Sequence, residues 1–382
     1  MPWKERCPME ERYGFIRDWL SRDYSITELC VNYEISRKTG YKWIDRFREY
    51  GEGGLVELSR RPHGHPDTTP IEIQDRIVSF RREHHHWGPR KLMDRLCKKE
   101  PTIDWPAVST AGSILKRRGE VVKRRFRRRV PLFGRTLLRA EQANAVWATD
   151  FKGWFRTHDQ RRIDPLTITD LHSRFLICCQ AVKKTNGVEV RAQFERAFLE
   201  YGLPTKIRSD NGPPFASIGL AGLSYLSVWW IRLGIIPERI RPGHPEENGQ
   251  HERMHRTLKE ETAKPPKESY RSQQKAFNTF KKDFNEQRPH EALGMRTPSE
   301  CYEPSIRPFP RRLPDMEYPT DWVIRRVRSR GQIKWNGESI YLSSVLSGQH
   351  VGLNQVSENI WKVHFGPFCI TKIDSKTNQL QK

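Results

Sequence analysis

The chain has 382 residues, with 68 Lys and Arg against 46 Asp and Glu, so its formal net charge is +22. A positive charge this large favours a polyanionic partner, and nucleic acid is the usual one. The 12 Trp, 17 Phe and 11 Tyr are too many aromatic residues for a disordered tail. No apolar run reaches the roughly 18 residues of a membrane span, and the first residues lack the apolar stretch of a signal peptide. We therefore expect a cytoplasmic protein of two to four domains without a membrane partner.

Cysteine and histidine give little sign of a zinc site. The seven cysteines are scattered, and none forms a C-x-x-C pair, so neither a zinc ribbon nor a disulfide framework is indicated. The run His84 to His86 places neighbouring rings in different directions on a helix, and no second ligand pair has suitable spacing. A metal role for these histidines is disfavoured.

Residues 1–60 have the pattern of a DNA-binding helix-turn-helix domain. Ser25-Ile-Thr-Glu28 is a capping box that opens one helix, and Ser36 caps the next. A short helix, a tight turn and a helix that begins Ser-Arg-Lys-Thr are typical of this motif. The residues expected to face a DNA groove are Arg37, Lys38, Thr39 and Lys42. A plain helical bundle with a solvated basic face stays open as the alternative.

A second helix-turn-helix domain is predicted over residues 61–118. Pro70 stands at the start of one helix, and helices over 90–99 and 106–118 follow. Residues 119–141 form a basic linker that we expect to lie along DNA phosphates as an arm, although a solvated linker has the same composition. The predicted contacts in this arm are Lys123, Arg124, Arg125, Arg127, Arg128 and Arg129.

The character of the chain changes at residue 142, where strands alternate with helices up to residue 303, as in a mixed α/β domain. The predicted strands are 145–155, 166–179, 206–209 and 238–241, and the predicted helices are 188–201, 247–263 and 270–287. Residues 304–382 return to short strands. Asn336-Gly337 there marks a type I′ hairpin, and the spacing of the strands predicts a small β-barrel.

Three acidic residues of the α/β domain lie at the ends or starts of predicted strands and helices, within distinctive motifs. Asp150 ends the strand motif Trp-Ala-Thr-Asp, Asp210 lies in Ser-Asp-Asn-Gly where a strand ends, and Glu252 opens a long helix. An acid within an apolar strand is costly unless it is paired or metal-bound. Carboxylates that converge repel one another, and two Mg²⁺ ions relieve this because they are hard ions that prefer oxygen ligands.

The helix that carries Glu252 has two different faces. Glu252, Arg256 and Lys259 follow at i, i+4 and i+7 on one face, and Met254 and Leu258 lie opposite, where a core would be. A carboxylate beside two cations suits a metal and a phosphate. An exposed salt-bridge face has the same spacing and remains the alternative.

In this order, Trp-x-x-Asp, Ser-Asp-Asn-Gly and His-Pro-x-x-Asn-Gly-x-x-Glu-Arg resemble the catalytic core of retroviral integrases and bacterial insertion-sequence transposases. These are DDE polynucleotidyl transferases with a ribonuclease-H-like fold. The resemblance implies helix-turn-helix modules, then a ribonuclease-H-like α/β core over 142–303, then the small β-barrel. It also implies that Asp150, Asp210 and Glu252 are the catalytic acids and hold two Mg²⁺ ions, with Mn²⁺ as a substitute. Lys259 matches the position that contacts the DNA end, and Asn248 and Arg256 are further candidates.

The implied activity is that of a transposase. It would bind the terminal repeats of a mobile element as double-stranded DNA, cleave their 3′ ends and join them to target DNA. The resemblance implies a homo-multimer on DNA in the bacterial cytoplasm, at the nucleoid. A DNA-binding regulator or decayed transposase without catalysis, and a nuclease of ribonuclease-H type, are the alternatives.

Two further acids compete for roles in this site. Between Asp210 and Glu246 lie 35 residues, the spacing of many family members, whereas 41 residues separate Asp210 from Glu252. We choose Glu252 for its Gly-x-x-Glu-Arg motif and its helix shared with Lys259, and interpret 216–230 as an insertion that lengthens the gap. Asp170 lies at a predicted hairpin, where Asp favours the turn, and is interpreted as structural.

Overall fold

A computed structural model describes residues 7–58, 68–121, 140–241 and 249–381. The chain divides into two compact units, Met1–Pro70 and Ile71–Lys382. Within the described ranges, no helix is both long and apolar enough to cross a bilayer.

Within residues 7–58, the first unit contains three α-helices, α1 (Pro8–Ser21), α2 (Ile26–Asn32) and α3 (Arg37–Tyr50). Both predicted caps are confirmed. The Ser25 hydroxyl accepts from the Glu28 N–H while the Glu28 carboxylate accepts from the Ser25 N–H, and the Ser36 hydroxyl accepts from the Thr39 N–H. These bonds satisfy N–H groups that a helix start leaves without partners. The side chains buried between the helices include Phe15, Ile16, Leu29, Trp43 and Ile44.

The second unit begins with a module of three helices, α4 (Ile71–Glu83), α5 (Pro89–Lys99) and α6 (Val108–Arg117). We call it the second helical module. Its own core includes Ile77, Trp87, Leu92, Leu96 and Ile114. It also contacts the α/β core, because Arg95 donates to the side chain of Gln287 and Lys98 donates to the carbonyl of Met295.

A mixed sheet of six strands forms the centre of the second unit. Its strands are β1 (Val146–Phe151), β2 (Phe155–Arg156), β3 (Arg162–Asp170), β4 (Leu176–Val182), β5 (Lys206–Ser209) and β6 (Ile236–Arg239). The order is β4-β3-β1-β5-β6, with β2 beside the start of β3. The β4-β3-β1 pairs are antiparallel, and the β1-β5-β6 pairs are parallel. The mixed α/β architecture predicted for this part of the chain is confirmed.

Helices cover both faces of this sheet. They are α7 (Gly187–Tyr201) and α8 (Tyr225–Arg232) on one face, and α9 (Gly249–Thr262) and α10 (Tyr270–Glu286) on the other. Strand β3 belongs to both layers, because alternate residues of a strand point to opposite faces. Leu166 and Ile168 pack in the α7 and α8 layer, whereas Thr167 and Thr169 face α9.

Two expectations for this part of the chain need correction. The segment 216–230 was interpreted as an insertion, but its second half belongs to α8. Leu226, Trp229 and Trp230 of this helix are part of the central core. Strand β6 begins two residues before the predicted strand 238–241 because its register is set by pairing with β5, which the local sequence does not reveal.

The last strands form an open sheet rather than a closed barrel. The sheet runs β13-β12-β11-β10-β7, from β13 (Gln379–Gln381) through β12 (Phe368–Asp374), β11 (Ile360–Phe365) and β10 (His350–Gln355) to β7 (Val323–Arg326). The predicted hairpin is confirmed as β8 (Gln332–Trp335) and β9 (Glu338–Tyr341), with φ of 45° at Asn336 and 83° at Gly337. The predicted barrel closure is not confirmed. The hairpin contributes Ile333 and Ile340 to the same apolar core. It therefore covers this face of the open sheet by side-chain packing, without hydrogen-bonding to its strands.

Candidate catalytic site and nucleic-acid interface

Asp150 and Asp210 lie side by side at the carboxyl ends of two neighbouring strands of the central sheet. Strands β1 and β5 are parallel, with Val146 opposite Lys206 and Ala148 opposite Arg208. Extending this register by two residues brings Asp150 level with Asp210, which directly follows β5. Neighbouring strands are about 4.8 Å apart, so the pairing brings together two acids that are 60 positions apart in the sequence.

The loop after β5 holds the Asp210 carboxylate in place. Its Oδ1 accepts from the N–H of Gly212 at 3.2 Å, and the Asn211 side chain donates to the carbonyl of Ile240 at 2.7 Å. A Cβ atom at position 212 would lie 3.1 Å from Oδ2 of Asp210. Glycine at this position therefore leaves room for the carboxylate, which accounts for the Asp-Asn-Gly sequence.

Glu252 lies on the exposed face of α9, and its charge acts on Asp150. Met254 and Leu258 on the same helix are buried against the sheet, as predicted. Burial, the negative charge of Asp210 and then that of Glu252 raise the pKa of Asp150 to about 7. Burial also raises the pKa of Asp210. The three carboxyl groups thus belong to one electrostatic site, in which full ionisation is unfavourable.

The donor set fits a hard cation, although its members are not closed around one point. Within the described residues, no three His, Cys, Asp or Glu side chains form a group close enough to hold a metal ion. The two aspartates offer carboxylate oxygens at the sheet edge, and Glu252 offers a third from an exposed helix face. Oxygen donors of this kind are those that Mg²⁺ prefers, and a cation would offset the negative charge that Asp210 and Glu252 place beside the buried Asp150.

Two histidines of α9 lie beneath Asp150, and the sequence interpretation missed them. Nε2 of His251 and Nε2 of His255 are 2.7 and 2.6 Å from the hydroxyl of Thr167, which also donates to the carbonyl oxygen of Asp150 at 3.2 Å. Burial lowers the pKa of His251 to about 3 and the pKa of His255 further, so both rings are neutral. Their position in the buried stripe with Met254 was the signal available in the sequence.

Lys152 is a third residue of the site that the sequence interpretation missed. It follows β1 directly, and its N–H donates to the carbonyl of Pro165 at 2.9 Å. Burial, then the positive charge of Lys259, lower its pKa, while Asp150 and Glu252 act in the opposite direction. Lys152 and Lys259 therefore place positive charge beside the acids, where a phosphate would be attracted. Its position two residues after Asp150 was the signal in the sequence.

The residues predicted to enter a DNA groove lie in the first two turns of α3. Lys38 and Lys42 are exposed, and the Lys42 ammonium lies 4.5 Å from the centre of the Trp43 ring. Arg37 donates to the Thr27 hydroxyl at 2.9 Å. Thr39 is partly occupied in the helix cap, because its hydroxyl lies 2.9 Å from that of Ser36. Of these four side chains, the two lysines are the most available for a partner.

The remaining predicted contacts divide into two groups. Arg256 and Lys259 are exposed on α9. Outside the described residues lie the competing acid Glu246 and the DNA contacts Asn248, Lys123, Arg124, Arg125, Arg127, Arg128 and Arg129.

Asp170 is buried beside the β3–β4 turn, apart from the acids at the sheet edge. It accepts from the N–H of Asn144 at 2.9 Å and from the N–H and hydroxyl of Ser173 at 2.8 and 2.6 Å. These donors satisfy the carboxylate within the fold, which agrees with the structural interpretation. His84 stacks on Trp87, and His86 Nδ1 lies 3.4 Å from Glu260.

Comparison with family models places two kinds of domain on this chain. Models described as integrase core domain match residues 140–245 and 233–298. A helix-turn-helix domain model matches residues 11–63, and a homeodomain-like domain model matches residues 39–115. These domains imply DNA binding.

The chain is also similar to proteins of bacterial insertion elements. It is 27% identical over 251 residues to an uncharacterized 31.7 kDa protein of insertion element IS407 from Burkholderia multivorans, a match of 64% of this chain and 87% of that protein. An uncharacterized 39.2 kDa protein of insertion element IS476 from Xanthomonas euvesicatoria is 26% identical, over 64% of this chain and 70% of that protein. Among solved structures, the magnesium complex of the HTLV-2 integrase catalytic core domain matches 43% of this chain and 100% of that chain, with 18% identity and a TM-score of 0.34.

Proposed function

Because this chain is a transposase of the integrase-like superfamily, with helix-turn-helix domains before an integrase core, we propose that it binds the terminal repeats of its own mobile element, cleaves their 3′ ends and joins them to target DNA. The observation that carries this proposal is the parallel register that sets Asp150 beside Asp210, with the charge of Glu252 acting on Asp150. Asp150, Asp210 and Glu252 are the proposed catalytic acids.

The same three carboxylates are the proposed ligands of two Mg²⁺ ions, with Mn²⁺ as a substitute. When bound, such ions neutralise charge at the phosphate and lower the pKa of an attacking water or hydroxyl. The support for this choice is the oxygen-only donor set and the raised pKa of Asp150, which results from burial first and then from the negative charges of Asp210 and Glu252.

The other residues of the site position the substrate and the acids. Lys152, Arg256 and Lys259 surround the carboxylates with positive charge that holds a DNA phosphate against them. His255 and Thr167 support Asp150 from below, through the contacts with its side chain and its carbonyl. The neutral rings leave the negative charge of the acids uncompensated, and it stays available for cations.

Both chemical steps are phosphoryl transfers. In cleavage, water adds to the phosphorus and the 3′ oxygen leaves, which gives a 3′-hydroxyl and a 5′-phosphate. In strand transfer, that 3′-hydroxyl attacks a target phosphodiester, so one phosphodiester forms as another breaks. No covalent protein–DNA intermediate is needed, and a phosphoserine or phosphotyrosine adduct with DNA would contradict the proposal.

The proposed partners are the double-stranded ends of the element, target DNA and further copies of this chain. Lys38 and Lys42 on α3 are the proposed groove contacts, and the basic segment that includes Lys123 is the proposed phosphate-binding arm. At least a dimer is expected on paired ends, and a complex of paired ends with a single protein chain would contradict this.

The test is a cleavage and strand-transfer assay on duplexes copied from the DNA that flanks the gene. Wild type is expected to be active in Mg²⁺ and inactive in EDTA, and Asp210→Asn is expected to bind the duplexes but leave them uncut. Asp104→Asn, the same change at an exposed acid of the second helical module, is the matched control and should remain active. Wild-type protein that binds these ends yet cuts them in neither Mg²⁺ nor Mn²⁺ would reject the catalytic proposal.

A further inference from the structure

A cavity of about 510 Å³ lies between the second helical module and the α/β core, next to the acids but separate from them. Lys91 of α5, Thr169 of β3 and Arg256 of α9 contribute to its walls, together with residues that follow α10. Its volume is within the range of pockets that bind small organic ligands. The proposed catalytic steps do not use this space, although His251 and Arg256 of its walls also lie beside the acids.

The lining of this cavity is strongly cationic. Five Lys or Arg side chains face it, against only two carboxylates, Glu260 and Glu291. One of the five, Arg288, is paired with Glu261 at 2.9 Å, and the remaining cations still outnumber the acids. Burial and the positive charge of Arg288 lower the pKa of Lys91 to about 8. The cavity therefore favours an anion.

Four buried polar atoms that line the same cavity have no hydrogen-bond partner among the described residues. They are Oγ1 of Thr169, Oε1 of Gln250, Nδ1 of His251 and Nε2 of His290. Thr169 and His251 are only 5% and 1% exposed. Buried polar groups are nearly always hydrogen-bonded, and an unpaired one calls for an explanation such as a missing ligand or water. Four of them around one cavity indicate a ligand that carries several donors and acceptors.

The third component of the lining is apolar and aromatic. Phe284 is buried there, with the ring of His290 at 4.9 Å in an edge-to-face arrangement, and Met254 and Leu171 complete this part of the wall. A cavity that combines cations, hydrogen-bonding groups and an aromatic wall matches the three parts of a nucleotide, which are a phosphate, the polar edge of a base and its flat face.

We propose that this cavity holds one unpaired nucleotide of the bound DNA, an inference that rests on the proposed function. Its phosphate lies against Lys91 and Arg256, and the edge of its base meets Thr169 and His251. A paired base is enclosed in the duplex, so only a nucleotide taken out of the stack can enter. Unstacking is also the step that would free a strand near the cleavage site.

The cavity is close to the acids along β3. Thr169 and Thr167 are two residues apart on the same face of the strand, a separation of roughly 7 Å. Thr167 contacts both His255 and the carbonyl of Asp150, and His251, which contacts Thr167, lines the cavity. A nucleotide in the cavity would therefore lie next to the phosphate on which the acids act.

The experiment compares the affinity of the full-length chain for two sets of duplexes in EDTA, where no cleavage occurs. Both sets copy the DNA that flanks the gene. One is fully paired, and the other carries a single unpaired 2-aminopurine at successive positions near the end. The best-placed unpaired duplex is expected to bind about tenfold more tightly than its paired counterpart, as base stacking and phosphate contacts predict. Its 2-aminopurine fluorescence should change on binding.

Two variants probe different walls of the cavity. Lys91→Met removes a cation, and Thr169→Val removes only a hydroxyl that makes no bond within the described protein, so neither change should impair folding. Both are expected to abolish the preference for the unpaired duplex and to leave the affinity for the paired duplex unchanged. Lys99→Met, on an exposed part of the same helix as Lys91, is the control and should keep the preference.

The outcomes separate this inference from the proposed function. Equal preference in all variants, or no preference in wild type while paired duplexes bind well, would overturn the nucleotide site and leave the transposase proposal intact. Binding of free 2-aminopurine deoxyribonucleoside 5′-monophosphate without any duplex preference would also overturn it. Failure to bind either set of duplexes would instead count against the proposed function.

Discussion

Nδ1 of His255 lies 3.7 Å from Oδ2 of Asp150, and Nε2 of the same ring lies 2.6 Å from the Thr167 hydroxyl. The ring thus connects the α9 layer to the acid at the end of β1. Because His255 is neutral and only 4% exposed, it acts as a positioning residue rather than as a proton donor or acceptor for DNA.

We expect His255→Ala to lower the rate of end cleavage about 10- to 100-fold, the range found when a residue that orients a metal ligand is removed. The dissociation constant for the DNA ends should stay unchanged, and His255→Asn should recover part of the rate. Leu258→Ala, which empties a neighbouring buried position of the same helix, is the control for lost packing. An equal loss of rate per folded molecule in that variant would reduce His255 to a packing role.

The raised pKa of Asp150 predicts a pH-dependent stability difference between wild type and Asp150→Asn without metal. The folded state of the wild type keeps a proton on Asp150 up to about pH 7, whereas the unfolded chain releases it near pH 3.8. The wild type therefore loses stability relative to the variant as pH rises from 4 to 7, and the difference is constant above pH 7. Such a shift corresponds to at most roughly 4 kcal/mol, and partial solvent access makes about 2 kcal/mol the expected gain of the variant at pH 8. Denaturant unfolding at pH 4 and pH 8 measures it.

Magnesium should reduce the loss of stability that ionised Asp150 causes. At pH 8, Mg²⁺ is expected to raise the melting temperature of wild type more than that of Asp150→Asn, because a cation offsets the charge that destabilises the folded wild type. If the difference in unfolding free energy between wild type and Asp150→Asn were the same at pH 4 and at pH 8, the pKa of Asp150 would not be raised in the folded protein.

Asp170 should matter for stability and not for chemistry. Asp170→Asn replaces one acceptor oxygen by a donor opposite the N–H groups of Asn144 and Ser173. Because buried donors would lose their acceptor, we expect a loss of about 2–3 kcal/mol in the free energy of unfolding. Cleavage per folded molecule at low temperature should match wild type, and a loss there with normal stability would assign Asp170 to the catalytic group.

Lys38 provides a test of the first helix-turn-helix domain. Lys38→Met removes an exposed charge in the first turn of α3, so the slope of log affinity against log salt concentration should become shallower by about one if this lysine contacts a phosphate. Arg17→Met removes an exposed charge on α1 and should leave the slope unchanged. Identical slopes for wild type and Lys38→Met would exclude a phosphate contact at this position.

Local features of the fold were predictable because they depend on neighbouring residues. The Ser25 capping box, the Ser36 cap and the Asn336-Gly337 turn are each decided by side chains within a few positions. The buried face of α9, with Met254 and Leu258, follows from apolar periodicity alone.

Features that depend on distant pairing were not predictable from the pattern. The sequence suggested the three acids, but the meeting of Asp150 and Asp210 depends on the β1–β5 register. The contact of His255 with Thr167 joins residues 88 positions apart, and the cavity takes its walls from four separate segments. The barrel prediction failed to account for a hairpin that completes the core by side-chain packing without pairing to the open sheet.

The most direct measurement compares Glu252→Gln with Glu246→Gln in the Mg²⁺-dependent cleavage and strand-transfer assay. Loss of activity in Glu252→Gln alone, with DNA binding retained in both variants, is the predicted result, because the charge of Glu252 acts on Asp150 from α9. Loss of activity in Glu246→Gln alone would contradict the account and would mean that the 35-residue spacing from Asp210 identifies the third acid.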